Sequence, residues 1–282
     1  MTTELAAVFR SACLSELEAI KPGNVHIFSD GHGMVVQDFV KSAEAASGVI
    51  AQPGLMPGQR ICLAVDATWR AVGCNTNLGI ILLCAPLLHA AQQGGSLSAR
   101  LKETLKALTL ADAEHAFRAI RTASPAGLGE SENHDVWAAP RVTLLEAMRE
   151  AALRDRIAWQ YSNDFVDVFD FGARRYRDAL LQWGRPAWAL SSVYLGFLAR
   201  FTDSHVVRKY GEEAAGQVRA AAQIHDRALL AHDNPKQYQR VLLNFDAELK
   251  SRGINPGTSA DLTVASLLVV ELENMVTAIA LS

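Results

Sequence analysis

Apolar residues recur at three- and four-residue spacing over almost the whole chain. Runs that alternate apolar with polar residues and are rich in β-branched side chains are nearly absent, so the pattern predicts an all-α protein. Leu5, Val8, Ala12 and Ile20 share one stripe of a first helix over residues 3–20, which must stop before Pro22. Further helices are predicted over 35–50, 59–71, 77–93, 97–108, 110–123, 141–159, 163–183, 186–202, 211–232, 235–252 and 258–280, with ends good to roughly two to four residues. No period of fixed length recurs, which argues against a solenoid. The turns at 52–59 and 94–96 are too short to part the chain, so residues 1–282 are expected to form one multi-helix domain.

Five polar clusters interrupt this pattern, and each falls at a predicted helix junction. The glycine-bracketed turn Gly73-Cys74-Asn75-Thr76-Asn77-Leu78-Gly79 runs into apolar residues 80–88. Short polar side chains and free N–H groups at a helix start seat an anion, and they also serve as plain caps. Around Lys21, the Pro22-Gly23 step forces a turn that presents Lys21, Asn24 and His26 together. Lys21 can pair with a phosphate there and His26 can act as base or metal ligand; the alternative is a helix stop with an exposed lysine. His32 lies in a similar loop and has no assigned role.

The third cluster follows Gly127 and Gly129 and holds Glu130, Glu132, His134 and Asp135. Carboxylates beside an imidazole suit a divalent cation or an acid–base pair, against the alternative of a solvated acidic loop. Apolar Val136-Trp137 would pin His134 and Asp135 to the protein body. In the fourth cluster Asp203 would hold a metal while Arg208 and Lys209 meet phosphate oxygens, with His205 between them. A surface helix start capped by Asp203 is the alternative. The fifth, residues 255–261, reads as a helix N-terminus with Thr258 or Ser259 capping and Asp261 in the first turn. The aromatic segment 160–183 reads as an amphipathic helix packed on the core or on a second subunit, which leaves a homodimer open.

Composition narrows the partners. With 27 basic and 30 acidic residues, a net charge of −3, the chain lacks the basic excess of a nucleic-acid-binding protein. Cys13, Cys62, Cys74 and Cys84 form no C-x-x-C pair, so free thiols and a cytoplasmic setting are expected. The start of the chain does not read as a secretory signal. The longest apolar run, residues 78–91, contains Pro86 and His89 and falls short of the roughly 20 residues that span a bilayer, so no membrane association is expected. No P-loop, zincin or nucleophile-elbow motif occurs, and any phosphate site must be assembled from helix ends.

Taken in order, the clusters resemble those of the triphosphoribosyl-dephospho-CoA synthase family. Residues 20–25 are similar to its Pro-Lys-Pro-Gly-x-Val turn, and residues 38–43 to the helix that follows. Residues 73–79 resemble its Gly-x-Asn-Thr-His-Lys-Gly signature, 203–211 its Asp-[Thr/Ser]-x-x-x-x-[Arg/Lys]-x-Gly segment, and 255–261 its [Asn/Ser]-Pro-Gly-x-Ser-Ala-Asp motif. The resemblance implies an all-α enzyme in which ATP loses adenine while its triphosphoribosyl group joins the ribose 2′-hydroxyl of dephospho-CoA, with Mg²⁺ on the triphosphate. On that reading Lys21, Asn24, His26, Asn75, Thr76, Arg208, Lys209 and Ser259 bind substrate. Asp203, Asp135, Asp261 and Glu132 serve as metal or transition-state carboxylates. Catalysis falls to His134, Asp135, His205 and Asp203. Asn77-Leu78 replaces the family's His-Lys pair, and the 127–135 loop resembles a divergent branch that accompanies tetrahydromethanopterin-dependent one-carbon metabolism. The alternatives are therefore a related activated ribose phosphate as donor, ribosyl-phosphate transfer to a pterin-precursor acceptor or another step in tetrahydromethanopterin assembly, and a non-catalytic nucleotide- or cofactor-binding helper.

Overall fold

A computed structural model describes the backbone of residues 2–125 and 135–281, and side chains as far as residue 275. The described residues hold thirteen α-helices and no strand. In chain order these are α1 (Thr2–Glu18), α2 (Val36–Ile50), α3 (Pro57–Val72), α4 (Leu78–Gln92), α5 (Leu97–Lys106), α6 (Leu110–Ala123), α7 (Leu144–Ala151), α8 (Arg156–Ser162), α9 (Arg174–Trp183), α10 (Pro186–Arg200), α11 (Ser204–Leu230), α12 (Gln239–Ser251) and α13 (Gly257–Leu281). A π-helical turn, Asp167–Ala173, leads into α9, and a 3₁₀ turn, Pro235–Tyr238, leads into α12.

Helices α4 and α13 occupy the centre. Residues of α4 are apolar on every side, from Leu78 through Ala91, and nearly all are buried, the pattern of a core helix rather than an amphipathic one. Helix α13 packs beside it, with α1, α10 and the π turn against its other faces. Burying each Leu or Ile of α4 contributes about 1.5–3 kcal/mol over leaving it in water. Among the described residues no single helix is long and apolar enough to cross a membrane. Around this centre, α2, α3 and α6 pack side by side. Arg60 of α3 ties the end of α2 and α4 to it by donating to Ile50 O (2.6 Å), Leu55 O (3.0 Å) and Gln92 Oε1 (2.6 Å) from a fully buried position.

Three predicted helices differ from those observed, each for a local reason. The stretch 141–159 breaks into α7 and α8, because Asp155 Oδ1 accepts from the N–H groups of Ile157 (2.9 Å) and Ala158 (3.1 Å) and starts a new helix. The stretch 211–232 begins earlier, at Ser204, and is interrupted at Gly211 (φ 83°, ψ 169°). The stretch 163–183 starts as the π turn. Its aromatic residues Phe165, Tyr176 and Trp183 are buried in the core. Cys13, Cys62 and Cys84 are buried free thiols, and Cys74 is a half-buried one.

Candidate active site

The first turns of α4, α11 and α13 line one cavity of about 860 Å³, joined by the α1–α2 loop and by the segments around Asp135 and Asp155. Residues from all five polar clusters reach its wall: Asn24; the whole run 73–79; Asp135; His205, Arg208 and Lys209; and Asn255, Gly257, Thr258 and Asp261. Glu130, Glu132 and His134 lie outside the described residues. Helix N-termini carry unpaired N–H groups and the positive end of the helix dipole, so three first turns around one cavity favour an anion.

Cations reinforce this bias. Arg208 donates from Nη1 to Asp155 Oδ2 at 2.9 Å, and Lys209 stands exposed beside it. The turn before α4 is held by its own polar side chains. Asn75 Oδ1 accepts from Leu78 N (3.1 Å), Thr76 donates to Ser42 Oγ (2.6 Å), and the buried Asn77 amide donates to Thr68 Oγ1 (3.1 Å). Where the family signature has a lysine, Leu78 adds apolar wall.

Asp261 is the carboxylate that this cavity leaves open. It has part of its surface on the cavity and no side-chain hydrogen bond among the described residues. Burial, together with Asp203, Glu16 and Asp155, pushes its carboxyl well above the usual range, opposed by Arg208. The side chain rests on Gly79, where a Cβ would stand 2.0 Å from Asp261 Oδ2 and 2.5 Å from Cγ. Among the described residues no three His, Cys, Asp or Glu side chains gather as a protein-built metal centre. A Mg²⁺ that arrives on a triphosphate needs only one or two protein carboxylates, and a crowded, unpartnered Asp261 fits that demand.

Other expected site residues stand behind the wall. Asp203 is buried, and its two oxygens accept from His205 N, Val206 N, Ser259 N and Ser259 Oγ. It caps a helix, as sequence allowed, but an interior one. Burial pushes its carboxyl up while those hydrogen bonds pull it down. Lys21 is not the exposed lysine of a plain helix stop: it is fully buried, ion-paired with Glu16, and donates to Asn24 Oδ1 at 3.1 Å. His26 is also buried, with Nε2 3.4 Å from Asp246 Oδ1.

These inner residues clasp distant parts of the chain. Gly23 N donates to Asp246 Oδ1 (2.9 Å), Asn24 Nδ2 to Asn255 Oδ1 (2.8 Å), and Lys250 Nζ to Ser29 O (2.9 Å). At Gly23 (φ 85°) a Cβ would come within 2.8 Å of Pro256 Cδ, so the turn needs glycine on both counts. His32 donates to Gly23 O at 2.7 Å and lines the cavity, a role its loop did not reveal.

Sequence reading missed Glu16, Asp155 and the apolar arm formed by Phe39, Trp69, Phe117, Leu144 and Met148. Asp155 carried a usable signal, a capping residue inside an apparently continuous helix. The apolar side chains carried none, since helical spacing reads the same for a core face and a cavity wall.

His205 faces the cavity as a neutral imidazole. Burial, then Arg208, Lys209 and His32, lower it from an ordinary 6.5 to about 4. The unfolded chain therefore binds a proton near pH 6.5 that the folded protein does not take up until about 4, and His205 removes stability as pH falls through that window. Imidazole NMR should show the resonance that disappears in His205→Gln untitrated between pH 7 and 5, and a midpoint near 6.5 for it would refute this.

The family model for CitG, ATP:dephospho-CoA triphosphoribosyl transferase, matches residues 2–278. A crystal structure of a provisionally named triphosphoribosyl-dephospho-CoA synthase from Archaeoglobus fulgidus is similar in fold, with a TM-score of 0.63 and 22% identity over 83% of this chain and 98% of that one. No curated protein matches the sequence. The structural likeness speaks to the fold, while the sequence match spans nearly every residue that builds the cavity. This chain belongs to the ATP:dephospho-CoA triphosphoribosyl transferase family and is a transferase.

Proposed function

We propose that the cavity transfers the triphosphoribosyl group of ATP to dephospho-CoA, with release of adenine. The observation that carries this is the junction of three helix N-termini with Arg208, Lys209 and Asp261, a carboxylate with no side-chain hydrogen bond among the described residues, in a single cavity. A triphosphate would lie against the first turns, with Arg208 and Lys209 on its oxygens and the polar turn at Asn75 and Thr76 closing over it. Asp261 would hold Mg²⁺ together with the phosphates, and Asp135 stands at the same wall as a second carboxylate. When bound, the ion would neutralise phosphate charge.

The bond that breaks is the one between the ribose C1′ and adenine, and positive charge develops on the ribose as it opens. A carboxylate that does not hold the ion would stabilise that charge, and Asp135 lines the same cavity. His205, neutral in the free site, is a hydrogen-bond acceptor for the attacking hydroxyl, and a bound polyanion would offset the two cations that hold its basicity down.

The apolar arm suits a flat heteroaromatic ring on the acceptor. It also favours a second reading, the same transfer to a pterin-bearing acceptor, because Leu78 stands on the cavity wall where the family signature has a cation. Incubation with ATP, Mg²⁺ and dephospho-CoA should release adenine in step with a triphosphoribosylated product seen by mass spectrometry. Adenine release only with a pterin-bearing acceptor would select the second reading. ATP binding with no adenine release under any acceptor would overturn both and leave a nucleotide-binding helper.

A further inference from the structure

We propose that Asp203 and Ser259 are positioning residues that lock a separate phosphate clamp, residues 204–210, onto the first turn of α13. The inference rests on the transfer reading above, because the clamp's ligand is the donor's triphosphate.

One carboxylate ties two helix starts together here. Asp203 Oδ1 accepts from His205 N (3.0 Å) and Val206 N (3.3 Å), and Oδ2 accepts from Ser259 N and Ser259 Oγ, both at 2.8 Å. Asp203 is 1% exposed and Ser259 fully buried, so neither side chain reaches the cavity wall. With four donors already on its two oxygens, Asp203 has no lone pair left to offer a metal ion. Its effect on the donor passes through the segment it anchors.

That segment is mechanically distinct from the rest of α11. Gly211, at φ 83° and ψ 169°, interrupts the helix directly after it. Its position therefore depends on side-chain ties rather than on helix continuity: Asp203 at its start, Arg208 to Asp155 along its length (2.9 Å), and Tyr210 Oη donating to Gly253 O (2.6 Å) at its end. His205, Arg208 and Lys209, the three residues it brings to the cavity with chemistry to offer, all lie between those ties. Asp261 sits two residues beyond Ser259 on the other helix. A single lock thus fixes the cations of the clamp against the first turn of α13.

Asp203→Asn keeps the shape and puts an amide donor where the carboxylate faced only donors. Ser259→Ala removes one of the four hydrogen bonds. The test uses the full chain and measures inorganic tripolyphosphate binding by calorimetry without Mg²⁺, then KM for ATP, kcat and the Mg²⁺ concentration for half-activation. Binding must then order the loosened clamp and its two cationic side chains, which corresponds to about tenfold in affinity. Asp203→Asn should therefore weaken tripolyphosphate by about that factor and raise KM for ATP in parallel. Its kcat should fall less, and its Mg²⁺ requirement should hold within about twofold. Ser259→Ala should move the same quantities in the same direction by less, and the double variant should be no worse than Asp203→Asn.

Wild-type tripolyphosphate affinity in folded Asp203→Asn would overturn the proposal. So would a defect cured by excess Mg²⁺ or by Mn²⁺, which would make Asp203 a metal ligand. Should Asp203→Asn fail to fold, unchanged tripolyphosphate affinity in Ser259→Ala overturns it instead. Failure of the transfer reading looks different: wild-type protein would bind tripolyphosphate and release no adenine.

Discussion

Gly79→Ala is expected to reduce triphosphoribosyl transfer by about a hundredfold or more while the protein stays folded. The added methyl would stand 2.0 Å from Asp261 Oδ2, 2.5 Å from its Cγ and 2.8 Å from Ile157 Cδ1. The isoleucine end can turn away. Asp261 must be displaced by more than an ångström, and misplacing a reacting group by that much costs roughly a hundredfold in rate. Stability moves less, because overpacking costs about 1–3 kcal/mol and alanine returns up to about 1 kcal/mol over glycine within a helix. Adenine release with ATP and dephospho-CoA, read beside circular dichroism and urea midpoints, checks both halves. A folded Gly79→Ala within threefold of wild type would show that the position of Asp261 does not matter to the reaction.

Lys21→Met should be the most destabilising change at the site, by about 3–5 kcal/mol, the usual result of removing one partner from a buried ion pair. Glu16 and Lys21 have side chains only 5% and 1% exposed, so solvent does little to screen either. Burial already pushes the Glu16 carboxyl up, and Lys21 opposes that. Without the lysine, the burial that raises the Glu16 carboxyl goes unopposed and favours its protonated form, and the Asn24 amide oxygen loses its donor. Glu16→Gln combined with Lys21→Met should recover part of the loss, because the uncompensated group is then neutral from the start. Urea unfolding of the three variants at pH 7 decides it. A Lys21→Met protein within about 1 kcal/mol of wild type would mean that the pair is dispensable.

The helical class and most helix positions were legible because burying one face imposes its period on the residues themselves. Both ends of α3 and α4 fall within a few residues of expectation, where Pro57, Gly73 and Asn75 mark them. The break at residues 152–155 was hidden, since apolar spacing continues through it and only Asp155 interrupts. At the site, polar clusters at helix junctions identified Asn75, Arg208 and Asp261, which do share one cavity. What spacing could not convey was depth. Lys21, Asp203 and Ser259 have the composition of ligand-binding residues, and they stand one layer behind the wall because protein partners meet their hydrogen-bonding needs: Glu16 and Asn24 for Lys21, and each other, across 56 residues, for Asp203 and Ser259.

The clasp that ties the α1–α2 loop to α12 and to the α12–α13 junction also bears on how the protein comes into being. Gly23 and Asp246 are 223 residues apart and Asn24 and Asn255 are 231 apart, so one wall of the cavity cannot close until its partner has been synthesised. At about 5–20 residues per second, the first cluster waits on the order of 10–45 s on the ribosome. Over much of that interval α4, apolar on every side, has emerged without α13, the neighbour that completes its burial. A greasy helix exposed for that long is a natural client for chaperones. Contacts of such long sequence separation also pay their loop-closure entropy before they return any stability, which places assembly of the cavity late in folding.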